Sequence, residues 1–247
     1  MPAPRKFSED QLRAAALALV DTQGLAALTM RNLAAALGTG AMTIYNYVEG
    51  RDGLEALLVD AVMAEVPRAP GVPSDDWRAD LRTLAEAHWR AVRAHPDVIP
   101  LILTRRSLDL PTLTGAEALL AALARGHRSG AELLVAFRTV SGFVMGFAQA
   151  ELAGPLSIAP DEDADAVIAR VRELPRERFP RLIEIAEAAT ASSPEQEFHA
   201  GLDLIIDGLD HRPTSGEASA GKPGRRVTAA GTAAGPGTAA RGPAGRG

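Results

Sequence analysis

Cysteine is absent from this chain. Its absence excludes disulfides, thiolate nucleophiles and cysteine-bearing metal sites, and it suits a reducing cytosol. Aromatic residues make up only 4%. Strand-favouring residues are sparse beside abundant alanine and leucine, so helices are the expected output. Neither a hairpin signal nor an internal repeat is found. The start, Met1-Pro-Ala-Pro-Arg-Lys, runs straight into a polar helix without the apolar core of a signal peptide. Apolar runs such as Val98 to Leu103 are far below the ~20 residues that span a bilayer, so no membrane partner is expected. An excess of positive charge is also missing. The formal charge is −5, and residues 1–66 carry five cations against eight carboxylates. Bulk charge therefore argues against a broad nucleic-acid footprint, although a compact reader needs only a few well-placed cations.

What remains is an ordinary globular mixture, 47% hydrophobic and 23% charged over 247 residues. Four regions follow. Residues 1–66 form a small helical unit whose connecting helix spans 51–66. Pro67 to Pro73 is a stiff connector that cannot continue a helix. Residues 67–211 include this connector and a larger helical region. Residues 212–247 form a Gly/Ala/Pro/Thr tail with too little apolar surface to repay ordering, and it is expected to be disordered. The fold class is all-α.

The N-terminal helices are clearly punctuated. Ser8 with Gln11 is a capping-box pattern, and Leu12, Ala15, Ala16, Leu19 and Val20 fall on one face. Gly24 stops that helix. Thr29 caps the next, with Leu33, Ala34 and Leu37 as its stripe. Gly38-Thr39-Gly40 breaks it before a short helix from about Ala41 to Tyr47. Helix, glycine-containing turn and short second helix give the spacing of a helix-turn-helix. Ile44 and Val48 anchor the second helix. Its other face offers Thr43, Tyr45, Asn46 and Tyr47, short groups suited to base edges and phosphate oxygens. Arg31 and Arg51 flank this face. The spacing alone fits a plain helical hairpin equally well. Tyr45 and Tyr47, two apart, cannot share one inward face, so an exposed tyrosine calls for a partner.

Leu-Thr-Met-Arg-Asn-Leu-Ala-Ala-Ala-Leu-Gly followed by Met-Thr-Ile-Tyr-Asn-Tyr-Val resembles the DNA-binding domain of the TetR family, as does the sequence around them over residues 8–66. The resemblance implies an N-terminal three-helix helix-turn-helix domain and a C-terminal ligand-binding and dimerisation domain. It implies a sequence-specific transcriptional repressor, dimeric, released from a near-palindromic double-stranded operator by a small, hydrophobic effector. The DNA-contacting set it implies is Thr29, Arg31, Ala41, Met42, Thr43, Tyr45, Asn46, Tyr47 and Arg51. Ala41 and Met42 depart from the larger polar and proline residues of the tetracycline repressors, so no operator is carried over from them. An activating or ligand-independent regulator stays open.

In the larger region, the helix from Ala131 to Ala153 is apolar on more than one face, with Gly142 and Gly146 four apart. The last helix, to about Leu209, is similarly broad. A two-fold four-helix interface is the economical solution, expected to use Leu133, Phe137, Val140, Phe143, Phe147, Phe198, Leu202, Ile205 and Leu209. Val140-Ser-Gly-Phe-Val-Met-Gly-Phe and the segments after Arg178 and Glu197 resemble the tetracycline-repressor branch and imply a central pocket. Its candidate lining is His88, Trp89, Ile102, Arg105, His127, Phe137, Val144 and Met145. The histidine through which tetracycline repressors bind magnesium has no counterpart after His95-Pro-Asp, which argues against that complex as effector. His88 and His95, seven apart, form at most a weak metal site, and no metal or cofactor is expected. No catalytic triad, metal-ligand cluster or phosphate-cradling loop is found, so an all-helical enzyme is disfavoured.

Overall fold

The sequence folds into helices alone among the residues that the computed structural model describes, which are 6–66, 74–105, 109–153 and 163–211. The expected connector, most of the loop before Ala164 and the C-terminal tail lie outside them. Eleven α-helices follow in order: α1 Glu9–Gln23, α2 Met30–Ala36, α3 Ala41–Ile44, α4 Gly50–Glu65, α5 Trp77–Ala94, α6 Ile99–Thr104, α7 Leu110–Arg125, α8 Gly130–Ala153, α9 Ala164–Arg172, α10 Pro180–Ala189 and α11 Pro194–Asp210. The described residues group as one compact unit.

Local chemistry sets the ends. Ser8 and Gln11 form the reciprocal capping box at α1, and Ser193 with Gln196 repeats it at α11. Gly24 ends α1 at φ 77° and ψ 167°. This is not the left-handed helical cap that the sequence suggests, but a region open essentially to glycine alone. After α7 the left-handed position is taken by His127, at φ 62°, not by Gly126. The helix stops one residue later than its glycine implies.

Helix α4 is the common element. It packs on α1 on one side and on α5, α6 and α7 on the other. Its buried Leu54, Leu58, Val59, Ala61 and Val62 serve both groups of helices. Helices α5, α7, α8 and α11 make the larger bundle. At its centre Trp89 stacks on Phe198 with ring centroids 4.4 Å apart and meets Phe147 edge-on at 6.1 Å. Phe143 joins the same cluster. Close aromatic packing of this kind contributes about 0.5–1.5 kcal/mol per pair beyond area burial.

Helix α8 is long and apolar enough to cross a membrane by length and composition, a property that a scan for uninterrupted apolar runs misses. Here it packs against α5, α6, α7 and α11. Ala136, Val140, Val144 and Ala148 form its buried stripe, at the four-residue spacing of one helix face.

Candidate nucleic-acid interface

The α2–α3 corner is built from local side-chain and backbone hydrogen bonds. The Thr29 hydroxyl accepts from the Asn32 amide at 3.1 Å, and the Asn32 side chain donates to the Ala27 carbonyl at 2.9 Å. Gly38 turns the chain at φ 62°, where any side chain would be strained. Past it, the Thr39 amide bonds back to Ala34 at 2.9 Å. The Thr39 hydroxyl lies 3.1 Å from that of Thr43, fixing the start of α3. Leu33, Ala34 and Ile44 are buried beneath, so the small helix is held by its own apolar anchor.

The helix expected to reach Tyr47 ends at Ile44, and residues 45–47 form a turn; the outward face of α3 and this turn is uncharged. Met42 is 77% exposed and Tyr45 51%, and Asn46 is also exposed. Thr43 and Ala41 are half-buried. Tyr47 differs from the sequence expectation: it is half-buried, and its hydroxyl accepts the Phe7 amide at 2.9 Å. Its ring lies 6.4 Å from that of Phe7. Tyr47 therefore secures the segment leading into α1, and Tyr45 is the tyrosine presented outward. Thr29 and Arg31 are exposed on α2. Arg51 is exposed but tethered, with Nε 2.6 Å from Glu55 and Nη1 donating to the Leu28 carbonyl at 3.3 Å.

The expected pocket residues do not share one environment. The His88 imidazole is buried on α5, and Nδ1 donates to the Leu84 carbonyl at 2.7 Å. Burial pushes its pKa down, only partly offset by that bond, so the ring is neutral at physiological pH and Nε2 is an acceptor. A β-carbon on Gly115 of α7 would stand 2.8 Å from Nε2, so this glycine, which sequence reasoning missed, makes room for the ring. Thr112 and Ser141 carry buried hydroxyls with no partner among the described residues. Ile102, Phe137 and Met145 are half-buried against the core, and Val144 is buried. Trp89 belongs to the aromatic cluster, capped by Arg93 at 4.8 Å. His127 is exposed at the α7–α8 turn. Arg105 faces α4, donating to Glu55 at 2.8 Å and to the Asp52 carbonyl at 2.6 Å.

The expected dimer residues divide similarly. Val140, Phe198, Leu202 and Leu209 are buried within the single chain, and Leu133, Phe137, Phe143, Phe147 and Ile205 are half-buried against its core. The faces left open on α8 and α11 carry other residues. Leu134 and Val135 are about half exposed and Leu204 is 76% exposed. A β-carbon on Gly142, Gly146 or Gly208 would meet nothing within 4 Å. Periodicity shows that α8 has two apolar faces but does not say which one the chain's own core takes.

His88 and His95 serve different neighbours: His95 bonds to Asp21 and Glu65. No cluster of three metal-ligating side chains occurs among the described residues.

Comparisons with known proteins match both parts of the chain. Residues 12–56 match bacterial regulatory proteins of the tetR family, and residues 69–212 match the tetracyclin repressor-like C-terminal domain. The chain is 30% identical over 212 residues to the tetracycline repressor protein class A from transposon 1721 of Escherichia coli, covering 84% of this chain and 92% of that one. It is 29% identical over 207 residues to the HTH-type transcriptional repressor DrrR1 of Streptomyces coeruleorubidus, covering 81% and 76%. Apo ActR from Streptomyces coelicolor superposes with a TM-score of 0.70 at 29% identity, covering 87% of this chain and all of that one. The actinorhodin complex of ActR superposes with a TM-score of 0.68 at 28% identity, covering 89% of this chain and all of that one. With family matches on both the reading helices and the larger bundle, this chain belongs to the tetR family of transcriptional regulators.

Proposed function

We propose that this protein is a dimeric transcriptional repressor that reads a near-palindromic operator and leaves it when a small, uncharged, largely apolar effector binds the larger bundle. The observation that carries the reading is the α3 face. Met42 on α3 and Tyr45 and Asn46 in the turn that follows it are exposed, and the short helix is buried only through Ile44. Asn46 suits an adenine edge, and Met42 and Ala41 suit thymine methyl groups. Arg31 and Arg51 reach phosphates on either side. Thr29, Thr43 and Tyr47 fix the corner and contribute backbone contacts.

Two copies meet through the open faces of α8 and α11, whose glycines allow close helix approach. The readers then stand about 34–36 Å apart in successive major grooves. The effector site is assigned to the bundle around His88, with the buried hydroxyls of Thr112 on α7 and Ser141 on α8 as its further polar candidates. Arg93 is bound to Glu151 and Glu195, and Arg105 to Glu55. With these cations already paired, an uncharged effector bearing hydroxyl groups is favoured. Release is a population shift: the effector must prefer a state whose readers are wrongly spaced. Arg105 and Arg51 share the Glu55 carboxylate, which gives α6 a direct link to a phosphate-contacting residue. The protein works where chromosomal DNA is, in the cytoplasm, with residues 1–66 reading DNA and 67–211 regulating.

Selection of duplexes from a random-sequence library tests this. Recovery of a two-fold symmetric sequence supports the reading. Enrichment of nothing, or of a single isolated half-site, defeats it.

A further inference from the structure

The ends of three helices meet at His95. The residue caps α5, Asp21 lies in the last turn of α1, and Glu65 is the final residue of α4. His95 is only 8% exposed. Nδ1 is 2.9 and 3.1 Å from the two Asp21 oxygens, and Nε2 is 2.9 Å from Glu65. Each ring nitrogen thus faces a carboxylate, which only accepts hydrogen bonds. A neutral imidazole has one N–H and one lone pair, and would direct that lone pair at a carboxylate. Only the imidazolium satisfies both contacts.

Helix electrostatics point the same way independently. Helix C-termini carry partial negative charge. Two carboxylates stand at such ends, and neither α1 nor α4 has a basic residue in its last turn. The other charged groups nearby do not supply the missing cation. Asp97, in the 3-10 turn after His95, lies 3.9 Å from where a Gly24 β-carbon would be and adds a further negative charge. Arg93 on α5 is turned to Glu151 and Glu195. Arg90 on α5 is paired with Glu86 at 2.6 Å. His95 is thus the cation shared by the ends of α1 and α4, beside the apolar packing of α4 on α1 and α5.

We propose that His95 is a positioning residue for operator binding: as an imidazolium it clips the DNA-reading helices to the regulatory bundle, and its deprotonation releases them and weakens the operator complex. The effect on affinity rests on the proposed DNA reading; the clip itself does not. A dimer must present two readers at one spacing, and a reader freed at its hinge loses more conformational freedom on binding. Burial disfavours the charge, but the Asp21 and Glu65 bonds outweigh it and raise the His95 pKa above the ordinary histidine value. The clip is therefore complete below that ordinary value and is lost as pH rises through the raised one.

The test uses the full chain, the duplex it recovers from a random-sequence library, and ring 15N spectra of its histidines. At pH 6.5 both His95 ring nitrogens should be protonated. Between pH 6.5 and pH 8.5 the duplex affinity of the wild type should fall to that of His95→Gln. His95→Gln should show a flat profile at the weaker affinity. His95→Arg, charged throughout, should show a flat profile at the tighter one. A neutral His95 ring at pH 6.5, or the same pH profile in wild type and His95→Gln, overturns the proposal. Recovery of no duplex at all defeats the DNA reading instead, and the ring spectra then decide the clip alone.

Discussion

Replacing Leu204 by lysine separates the proposed dimer from the folded monomer. Leu204 is 76% exposed on α11 in the single chain, so the chain's own core loses almost nothing. In a two-fold interface the side chain is buried, and each copy contributes one. Full burial of a leucine is worth about 1.5–3 kcal/mol. Scaled to the exposed share, that is about 1–2 kcal/mol per chain and about 2–4 kcal/mol per dimer. Like charges facing across the axis add to the loss. The dimer dissociation constant should rise about 30- to 700-fold. Sedimentation velocity over a concentration series measures it, and circular dichroism checks that helix content and melting are those of the wild type. The substituted chain should be a folded monomer at concentrations where the wild type is a dimer. A Leu204→Lys protein that dimerises as well as the wild type would remove α11 from the interface. A loss of fold would show that Leu204 is not the free surface group described.

Other substitutions probe the remaining contacts. Arg31→Ala should weaken all duplexes alike and reduce the salt dependence of a dimer by about two contacts, near 0.9 each in the log–log slope; an unchanged slope would mean Arg31 does not reach phosphate. Met42→Ala should cost affinity on the recovered duplex but little once deoxyuridine replaces the contacted thymine, because the methyl partner is then already gone; equal losses on both duplexes would show that Met42 reads no methyl group. Gly115→Ala should destabilise the bundle by about 1–3 kcal/mol in urea unfolding, since the new methyl meets His88 Nε2. Asp80 is bonded to the Ser74 amide and paired with Arg125. Burial opposes its charge, but these partners hold its pKa below the ordinary carboxylate value. Its stabilisation is present above that ordinary value and is lost as pH falls through the lowered one. Asp80→Asn should therefore lower stability at pH 7 and flatten its acid limb; an unchanged acid limb would show that the pairing is inert.

Much of the reading domain is legible in the sequence because its signals are local. Ser8 with Gln11, Thr29 and Gly38 each act within a few residues, and the helices begin and turn where these side chains place them. What the sequence hides is long-range. The hydroxyl of Tyr47 is engaged by an amide 40 residues earlier, and Arg105 finds Glu55 50 residues away. His95 joins segments separated by 74 and 30 residues, and no spacing rule brings them together. The two faces of α8 show a second limit. Apolar periodicity marks Val140 and Gly142 alike as helix-contact positions, but only packing against α5, α7 and α11 decides that the first is internal and the second open. Trp89 is similar: periodicity puts it on an inward face, but only the fold brings its ring onto that of Phe198.

The stoichiometry of the protein on its selected duplex bears most directly on the central claim. Native mass spectrometry of that complex should find two chains per duplex. Tyr45→Ala and Asn46→Ala should each abolish the preference for that duplex over a scrambled one while leaving the chain folded. One chain per duplex, or preference undiminished by both substitutions, would contradict a paired reader built on α3.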